Sequence, residues 1–174
     1  MALRSPQALL FDLDGTLVDT APDMIGALLR LRDELGLPDR LMSHLRTQVS
    51  RGAVALLDVG LPELGPSARP TLRERYLALY AEAIAVHSRT FPGIKQILAH
   101  CAELGMPWGV VTNKPITLTQ SLLHALQLIP GVVIGGDSFP ERKPHPRPVL
   151  EACSALGVSP AQAWMIGDDP RDIE

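Results

Sequence analysis

Two aspartates lie one residue apart directly after an apolar run near the amino terminus of this 174-residue chain. The run 9–11 leads into Asp12 and Asp14, and Gly15 and Thr16 follow. A strand buried on both faces reads as a continuous apolar run, and its carboxyl end is where open α/β sheets bind ligands. Side chains two residues apart on a strand point to the same side. The two carboxylates are therefore predicted to share one crevice, although an acidic turn is also typical of an Asp-Gly pair.

The sequence Asp-Leu-Asp-Gly-Thr at 12–16 resembles the first motif of the haloacid dehalogenase-like phosphohydrolases, Asp-x-Asp-Gly-Thr. The resemblance implies that Asp12 attacks phosphorus and forms an aspartyl-phosphate. It also implies that Asp14 protonates the leaving oxygen and then deprotonates a water molecule. A carboxylate is a recognised nucleophile, and a second carboxyl within reach serves as acid and then base. Because two adjacent carboxylates repel each other, the site is expected to need a cation, and oxygen ligands favour Mg²⁺.

A second polar cluster, Thr-Asn-Lys-Pro at 112–115, follows the apolar run 108–111. The resemblance places at Thr112 a hydroxyl that binds the transferred phosphoryl group, whose oxygens carry the developing charge. The cluster also matches the phosphoglycolate phosphatase branch of the superfamily. Together with the first motif, it gives three predicted phosphate- or substrate-binding residues: Gly15, Thr16 and Asn113.

A lysine followed by proline matches the third motif of the superfamily, in which the lysine pairs with the nucleophilic aspartate. Here that residue is Lys143. A fixed cation allows carboxylates and a phosphate dianion to lie close together. Arg142 is an adjacent competitor for the same role, but the continuation Pro-His-Pro-Arg-Pro at 144–148 favours Lys143.

The run Gly-Asp-Asp-Pro-Arg-Asp at 167–172 matches the fourth motif, Gly-Asp-x-x-x-Asp. The resemblance implies a Mg²⁺ site, and few protein ligands suffice because Mg²⁺ keeps several waters. The ligands predicted in this way are Asp12, the backbone carbonyl of Asp14, Asp168 and Asp172. Asp172 alternatively holds Lys143, and Asp169 is equally consistent with an acidic turn. All four polar clusters are expected at the ends of apolar strands.

The elements that must position these residues follow from the periodicity of apolar side chains. Thr20 is predicted to cap a helix, and the region 20–88 is predicted to be helical throughout, with its last helix running to about Val86. From Phe91 onward helices alternate with short apolar strands, which predicts a parallel sheet.

The fold class predicted is α/β, a three-layer, Rossmann-like core around a parallel sheet with an inserted all-helical cap. The expected domains are a discontinuous catalytic core, 1–19 and 89–174, and a cap, 20–88. Compared with the superfamily, the last edge strand and the closing helix are expected to be missing. An exposed apolar strand edge favours pairing with other chains, so poor solubility is expected.

Composition excludes several classes of function. The chain is 46% hydrophobic and 20% charged with a formal net charge of −3, which argues against nucleic-acid binding and against attraction to an acidic membrane. No run is long enough to span a bilayer, and no signal peptide is evident. Cys101 and Cys153 lie in apolar helical patterns and are expected to be buried and reduced, so a cytoplasmic enzyme is predicted.

The expected partner is a small-molecule phosphate monoester, selected by the helical insertion. Arg51 and Gly52 occupy a loop that faces the active site in the phosphoglycolate phosphatase branch, although that branch usually carries glycine where Arg51 stands. Runs near 85–93 and 108–115 also resemble the related N-acetylmuramic acid 6-phosphate phosphatases. The candidate substrates are thus 2-phosphoglycolate and N-acetylmuramic acid 6-phosphate. The alternatives are a sugar-phosphate mutase and a silent fragment that binds Mg²⁺ and phosphate, and the oligomeric state stays open.

Overall fold

The computed structural model describes residues 5–38 and 43–173, apart from the side chains of Ser43, His44 and Pro66. The chain divides into two compact units. Unit 1 consists of Met1–Val18 and Thr90–Glu174, and unit 2 consists of Asp19–Arg89.

The described strands are β1 (Ala8–Phe11), β2 (Val18–Asp19), β3 (Arg89–Thr90), β4 (Trp108–Val111), β5 (Val132–Ile134) and β6 (Ala163–Ile166). The described α-helices are α1 (Ala21–Glu34), α2 (Gly52–Gly60), α3 (Arg69–Glu82), α4 (Ile94–Glu103), α5 (Ile116–Ala125) and α6 (Arg147–Ala155). From α4 onward helices and strands alternate, as the apolar pattern predicts.

Unit 1 is built on a parallel sheet with the strand order β5-β4-β1-β6. All four residues of β1 are buried, because this strand lies between β4 and β6. Helix α6 packs on the sheet through Ala152 and Cys153, which join Leu10 and Val111 in one apolar cluster. Because the four strands are parallel, their carboxyl ends lie at the same edge of the sheet. The predicted α/β class is confirmed.

A close approach between β4 and β5 depends on Gly109. A Cβ atom at this position would lie 2.4 Å from Cγ1 of Val132 and 3.1 Å from Cδ2 of Leu10. Any larger residue would force these neighbours apart, so the glycine sets the tight side-chain packing beside the β4–β5 pair.

Unit 2 contains α1, α2, α3 and a 3₁₀ helix over Ser43–Arg51. Two details of the sequence prediction are wrong. Helix α3 ends at Glu82, short of Val86. Thr20 makes no capping hydrogen bond; instead, Oδ1 of Asp19 accepts one from the Ala21 N–H, 3.3 Å away. Asp19, which lies two residues before Ala21, therefore supplies the hydrogen-bond acceptor that Thr20 was expected to supply.

Asp23 fastens the first turn of α1 to the segment that leads into β3. Its carboxylate is buried and accepts hydrogen bonds from the backbone N–H groups of His87 and Ser88 at 2.8–3.0 Å. The Ser88 hydroxyl donates a further bond to Oδ2 at 2.7 Å. The carboxylate thus accepts hydrogen bonds from groups 64 and 65 residues away in the sequence. These hydrogen bonds offset the free-energy cost of burying its charge.

Both cysteines, Cys101 and Cys153, are buried and free, as predicted. Burial raises the pKa of each thiol. Within the part of the chain that the structure describes, no helix has the length and apolar character needed to cross a membrane.

Replacing Asp23 by alanine is expected to lower the free energy of unfolding by about 2–4 kcal/mol, because buried donors lose a charged acceptor. The matched control is Asp33→Ala, since Asp33 lies on the same helix and is exposed. Its effect should stay within about 0.5 kcal/mol. Urea denaturation of the full chain measures both, and equal effects would contradict the role assigned to Asp23.

Candidate active site

The end of β1 places Asp12 beside β6. The Asp12 N–H donates to the Ile166 carbonyl at 2.8 Å, so the ladder between the two strands continues one residue past β1. The chain then turns at Gly15, whose φ of 94° suits glycine. Asp12 and Asp14 are both buried, as expected for side chains that point into a crevice at the end of a strand.

Lys143 is buried and its ammonium group has three oxygen partners. Nζ lies 2.8 Å from Oδ1 of Asp12, 2.6 Å from Oδ1 of Asp172 and 2.7 Å from the Val111 carbonyl. The neighbouring Arg142 is exposed. The geometry therefore matches the pairing expected for Lys143 and not for Arg142.

The loop that carries Lys143 differs from the sequence expectation. The lysine does not lie at the end of a strand, because eight residues separate it from β5. The Asn113 side chain holds the loop in place by donating from Nδ2 to the Lys143 carbonyl at 3.0 Å. Asn113, which follows β4, thus fixes the backbone of Lys143, and the preceding strand β5 does not.

The protonation of Asp12 reflects two opposing influences. Burial, the larger influence, raises the pKa of this carboxyl and the Lys143 ammonium lowers it, and the net result is a rise from 3.8 to about 6. Because the pKa of Asp12 lies close to neutral pH, any further positive charge nearby would lower it and favour the ionised carboxylate.

Asp14 pairs with a lysine to which the sequence analysis assigned no role. Lys114 Nζ lies 2.8 Å from Oδ1 and 3.0 Å from Oδ2 of Asp14, and both side chains are buried. The signal was present, since Lys114 belongs to the Thr-Asn-Lys-Pro run, but 100 residues separate it from its partner.

A cluster of three carboxylates fits a hard cation. One oxygen from each of Asp12, Asp168 and Asp172 lies within 4.8 Å of the others. The donors are all carboxylate oxygens, which are the ligands Mg²⁺ prefers. Gly167 makes the cluster possible, because a Cβ atom there would lie 2.0 Å from Oδ2 of Asp172.

Asp169 has a structural role in this cluster. Its side chain accepts from the Arg171 N–H at 3.0 Å, and Oδ2 of Asp172 accepts from the Asp169 N–H at 3.1 Å. This reciprocal pair forms a capping box at the 3₁₀ turn Pro170–Asp172. Of the alternatives that the sequence left open for Asp169, the structure therefore matches the acidic turn.

The other predicted binding residues of unit 1 surround these carboxylates. Thr112 is buried, and its hydroxyl accepts from the Lys114 N–H at 3.3 Å. Thr16 donates its hydroxyl to Oδ1 of Asp168 at 3.0 Å. Oδ1 of Asn113 is buried and has no hydrogen-bond partner among the described residues, so it is open to a donor on a bound molecule. Binding of phosphate by these side chains stays a prediction.

Arg51 and Gly52 lie in unit 2, where the 3₁₀ helix meets α2. Arg51 is exposed, and Gly52 has a φ of 87°. Their role in substrate recognition also stays a prediction.

The sequence matches the family described as haloacid dehalogenase-like hydrolase over residues 9–174. The chain belongs to this family, and the resemblance inferred from the four motifs is confirmed.

Two curated relatives are similar over nearly the whole chain. A phosphoglycolate phosphatase of Xanthomonas campestris pv. campestris is 42% identical over 98% of this chain and 78% of its own length. An N-acetylmuramic acid 6-phosphate phosphatase of Pseudomonas aeruginosa is also 42% identical, over 97% of this chain and 76% of its own length. Both relatives carry the name of a phosphatase.

A crystal structure described as a predicted phosphoglycolate phosphatase from Haemophilus somnus 129PT has the same fold. It superposes with a TM-score of 0.84 at 28% identity, covering 99% of this chain and 81% of that protein. The hydrolase class predicted from the motifs therefore agrees with both sequence and fold.

Replacing Lys143 by methionine is expected to lower the free energy of unfolding at pH 7 by about 3–5 kcal/mol, because two buried carboxylates lose their cation. The matched control is Arg142→Met, which removes an exposed charge and should change stability by less than about 0.5 kcal/mol. Urea denaturation compares the two variants. A larger effect at Arg142 would show that the wrong residue has been paired with Asp12.

Proposed function

We propose that this chain is a Mg²⁺-dependent phosphoric monoester hydrolase that works through an aspartyl-phosphate at Asp12. One observation carries the proposal. The carboxylate oxygens of Asp12, Asp168 and Asp172 cluster within 4.8 Å, and Lys143 contacts two of these three side chains. A nucleophile, its fixed cation and a set of oxygen ligands are the parts that phosphoryl transfer needs.

The proposed reaction has two displacements. Asp12 attacks phosphorus, the bond from phosphorus to the ester oxygen breaks, and Asp14 gives a proton to the departing oxygen. A water molecule then gives a proton to Asp14 and attacks phosphorus, and the bond between phosphorus and the Asp12 oxygen breaks. This step releases inorganic phosphate and restores the Asp12 carboxylate. Dividing one difficult displacement into two easier ones is the advantage of a covalent route.

The remaining residues offset the negative charge of the phosphoryl oxygens during both displacements. Lys143 keeps Asp12 oriented and offsets the negative charge of the phosphoryl oxygens. Thr112 is the proposed hydroxyl donor to one of these oxygens. When bound by Asp12, Asp168, Asp172 and the Asp14 carbonyl, Mg²⁺ supplies further electrostatic stabilisation of that charge.

The proposed substrate is a small phosphate monoester that also carries a carboxylate. This proposal rests on the two curated relatives, whose names point to 2-phosphoglycolate and to N-acetylmuramic acid 6-phosphate. We further propose that unit 1 is the catalytic core and that the helical unit 2 selects the substrate. The free thiols of Cys101 and Cys153 support a reducing compartment such as the cytoplasm.

Phosphate release from both candidate substrates, measured with and without Mg²⁺, tests the proposal directly. Preferred turnover of one of them would identify the branch. Formation of an isomeric sugar phosphate without free phosphate would instead indicate a mutase.

Replacing Asp12 by asparagine is expected to reduce turnover by at least about 10³-fold, because the amide is not a nucleophile of comparable strength. Labelling with substrate that carries radioactive phosphorus should leave a hydroxylamine-sensitive acyl phosphate on the parent chain and none on Asp12→Asn. Turnover of the variant near that of the parent would contradict the assignment of the nucleophile.

Mg²⁺ affinity is expected to fall on acidification below pH 6, because a proton on Asp12 competes with the metal and burial raises the pKa of that carboxyl to about 6. Each pH unit below this value should weaken binding by up to about tenfold, whereas affinity should be nearly constant above it. Isothermal titration calorimetry measures the trend, and the opposite slope would exclude Asp12 as a ligand.

Asp168→Asn and its neighbour Asp169→Asn form a matched pair for the same titration. Loss of Mg²⁺ affinity is expected for Asp168→Asn alone, because Asp169 is engaged with Arg171. Equal losses would show that the cluster of ligands has been assigned incorrectly.

A further inference from the structure

Lys114 and Asp14 form a buried ion pair in unit 1, in addition to the two pairs that Lys143 makes with Asp12 and Asp172. The lysine ammonium contacts both carboxylate oxygens of Asp14, at 2.8 and 3.0 Å. Only 4% of the lysine side chain and 10% of the aspartate side chain are exposed. A buried charge pair of this kind is costly to break, so the carboxylate is held in one orientation.

The backbone of Lys114 is itself fixed on both sides. Its N–H donates to the Thr112 hydroxyl at 3.3 Å, and its carbonyl accepts from the Gly136 N–H at 2.8 Å. A Cβ atom on Gly136 would lie 2.2 Å from the Asn113 carbonyl oxygen, so only glycine permits this approach. The lysine side chain therefore extends from an anchored base between the end of β4 and the turn after β5.

The two buried lysines divide the aspartates of the first motif between them. Lys143 contacts Asp12 together with Asp172, whereas Lys114 contacts Asp14. The proposed nucleophile and the proposed proton donor thus depend on different cations, which rise from different loops of unit 1. Removing one cation should affect one of the two chemical roles more than the other.

We infer that Lys114 is a positioning residue that holds the Asp14 carboxyl where it exchanges a proton with the leaving oxygen and then with water. This inference rests on the proposed function, in which Asp14 is the acid and then the base. A carboxyl free to rotate about its two side-chain torsions spends little time in the productive orientation, and small displacements of a reacting group are costly.

The dependence on the leaving group tests this role. Protonation matters for an alkoxide leaving group such as that of 2-phosphoglycolate and matters little for p-nitrophenolate. For Lys114→Met, kcat/KM is expected to fall about 10²–10³-fold with 2-phosphoglycolate and less than about tenfold with p-nitrophenyl phosphate. Equal losses with the two substrates would overturn the inference, because they would indicate a direct effect on the phosphoryl group.

Two controls separate positioning from damage to the fold. Lys95→Met removes an exposed lysine on α4 and should leave both kcat/KM values unchanged. Binding of inorganic phosphate in the presence of Mg²⁺, measured by calorimetry, should survive in Lys114→Met. Lys114→Arg, which keeps the cation, should recover part of the loss with 2-phosphoglycolate; loss of phosphate binding or no recovery would overturn the inference.

A double-mutant cycle decides whether Lys114 acts through Asp14. If it does, Asp14→Asn/Lys114→Met should lose no more activity than Asp14→Asn alone. A full additional loss in the Asp14→Asn background would overturn the inference while leaving the proposed function intact. Absence of turnover by the parent chain on either substrate would instead refute the proposed function, and this inference with it.

Discussion

The balance of charge at the carboxyl ends of the strands is the constraint on which the rest of this site depends. Four carboxylates gather there against two buried ammonium groups: Asp12, Asp14, Asp168 and Asp172 against Lys114 and Lys143. Two negative charges are left over, which equals the charge of one divalent cation. Asp12, Asp14 and Asp172 are buried, whereas Asp168 is exposed. Buried carboxylates stay ionised only if cations lie beside them, and burial raises the pKa of Asp12 to about 6 even with Lys143 in contact.

Close backbone approach lets these charges meet. Gly167 leaves room for Asp172 to fold back towards Lys143, and Gly136 lets the turn after β5 rest against Asn113. In both places a single Cβ atom would fall within 2.2 Å of its neighbour. The site therefore depends on these two glycines as much as on the charged groups, because the close contacts between loops determine where the lysine backbones lie.

Much of this arrangement could be predicted from the sequence because the signals are local. An apolar run followed by Asp12 and Asp14 places both carboxylates at a strand end, and alternating helices and strands lead to a parallel sheet. Family resemblance then supplies the pairing of Lys143 with Asp12. Boundaries were less predictable: α3 ends at Glu82, and Asp19 replaces Thr20 as the acceptor at the start of α1, because short-range hydrogen bonding decides such details.

The sequence by itself determined the class of fold, the order of the motifs and the residue types that gather at the strand ends, since strand periodicity and turn chemistry are encoded within a few residues. Only the tertiary structure decided which charges meet. Lys114 reaches Asp14 across 100 residues of chain, and the Thr16 hydroxyl reaches Asp168 across 152. Such partners are selected by the register of neighbouring parallel strands and by the loops that follow them, and no local pattern contains that information.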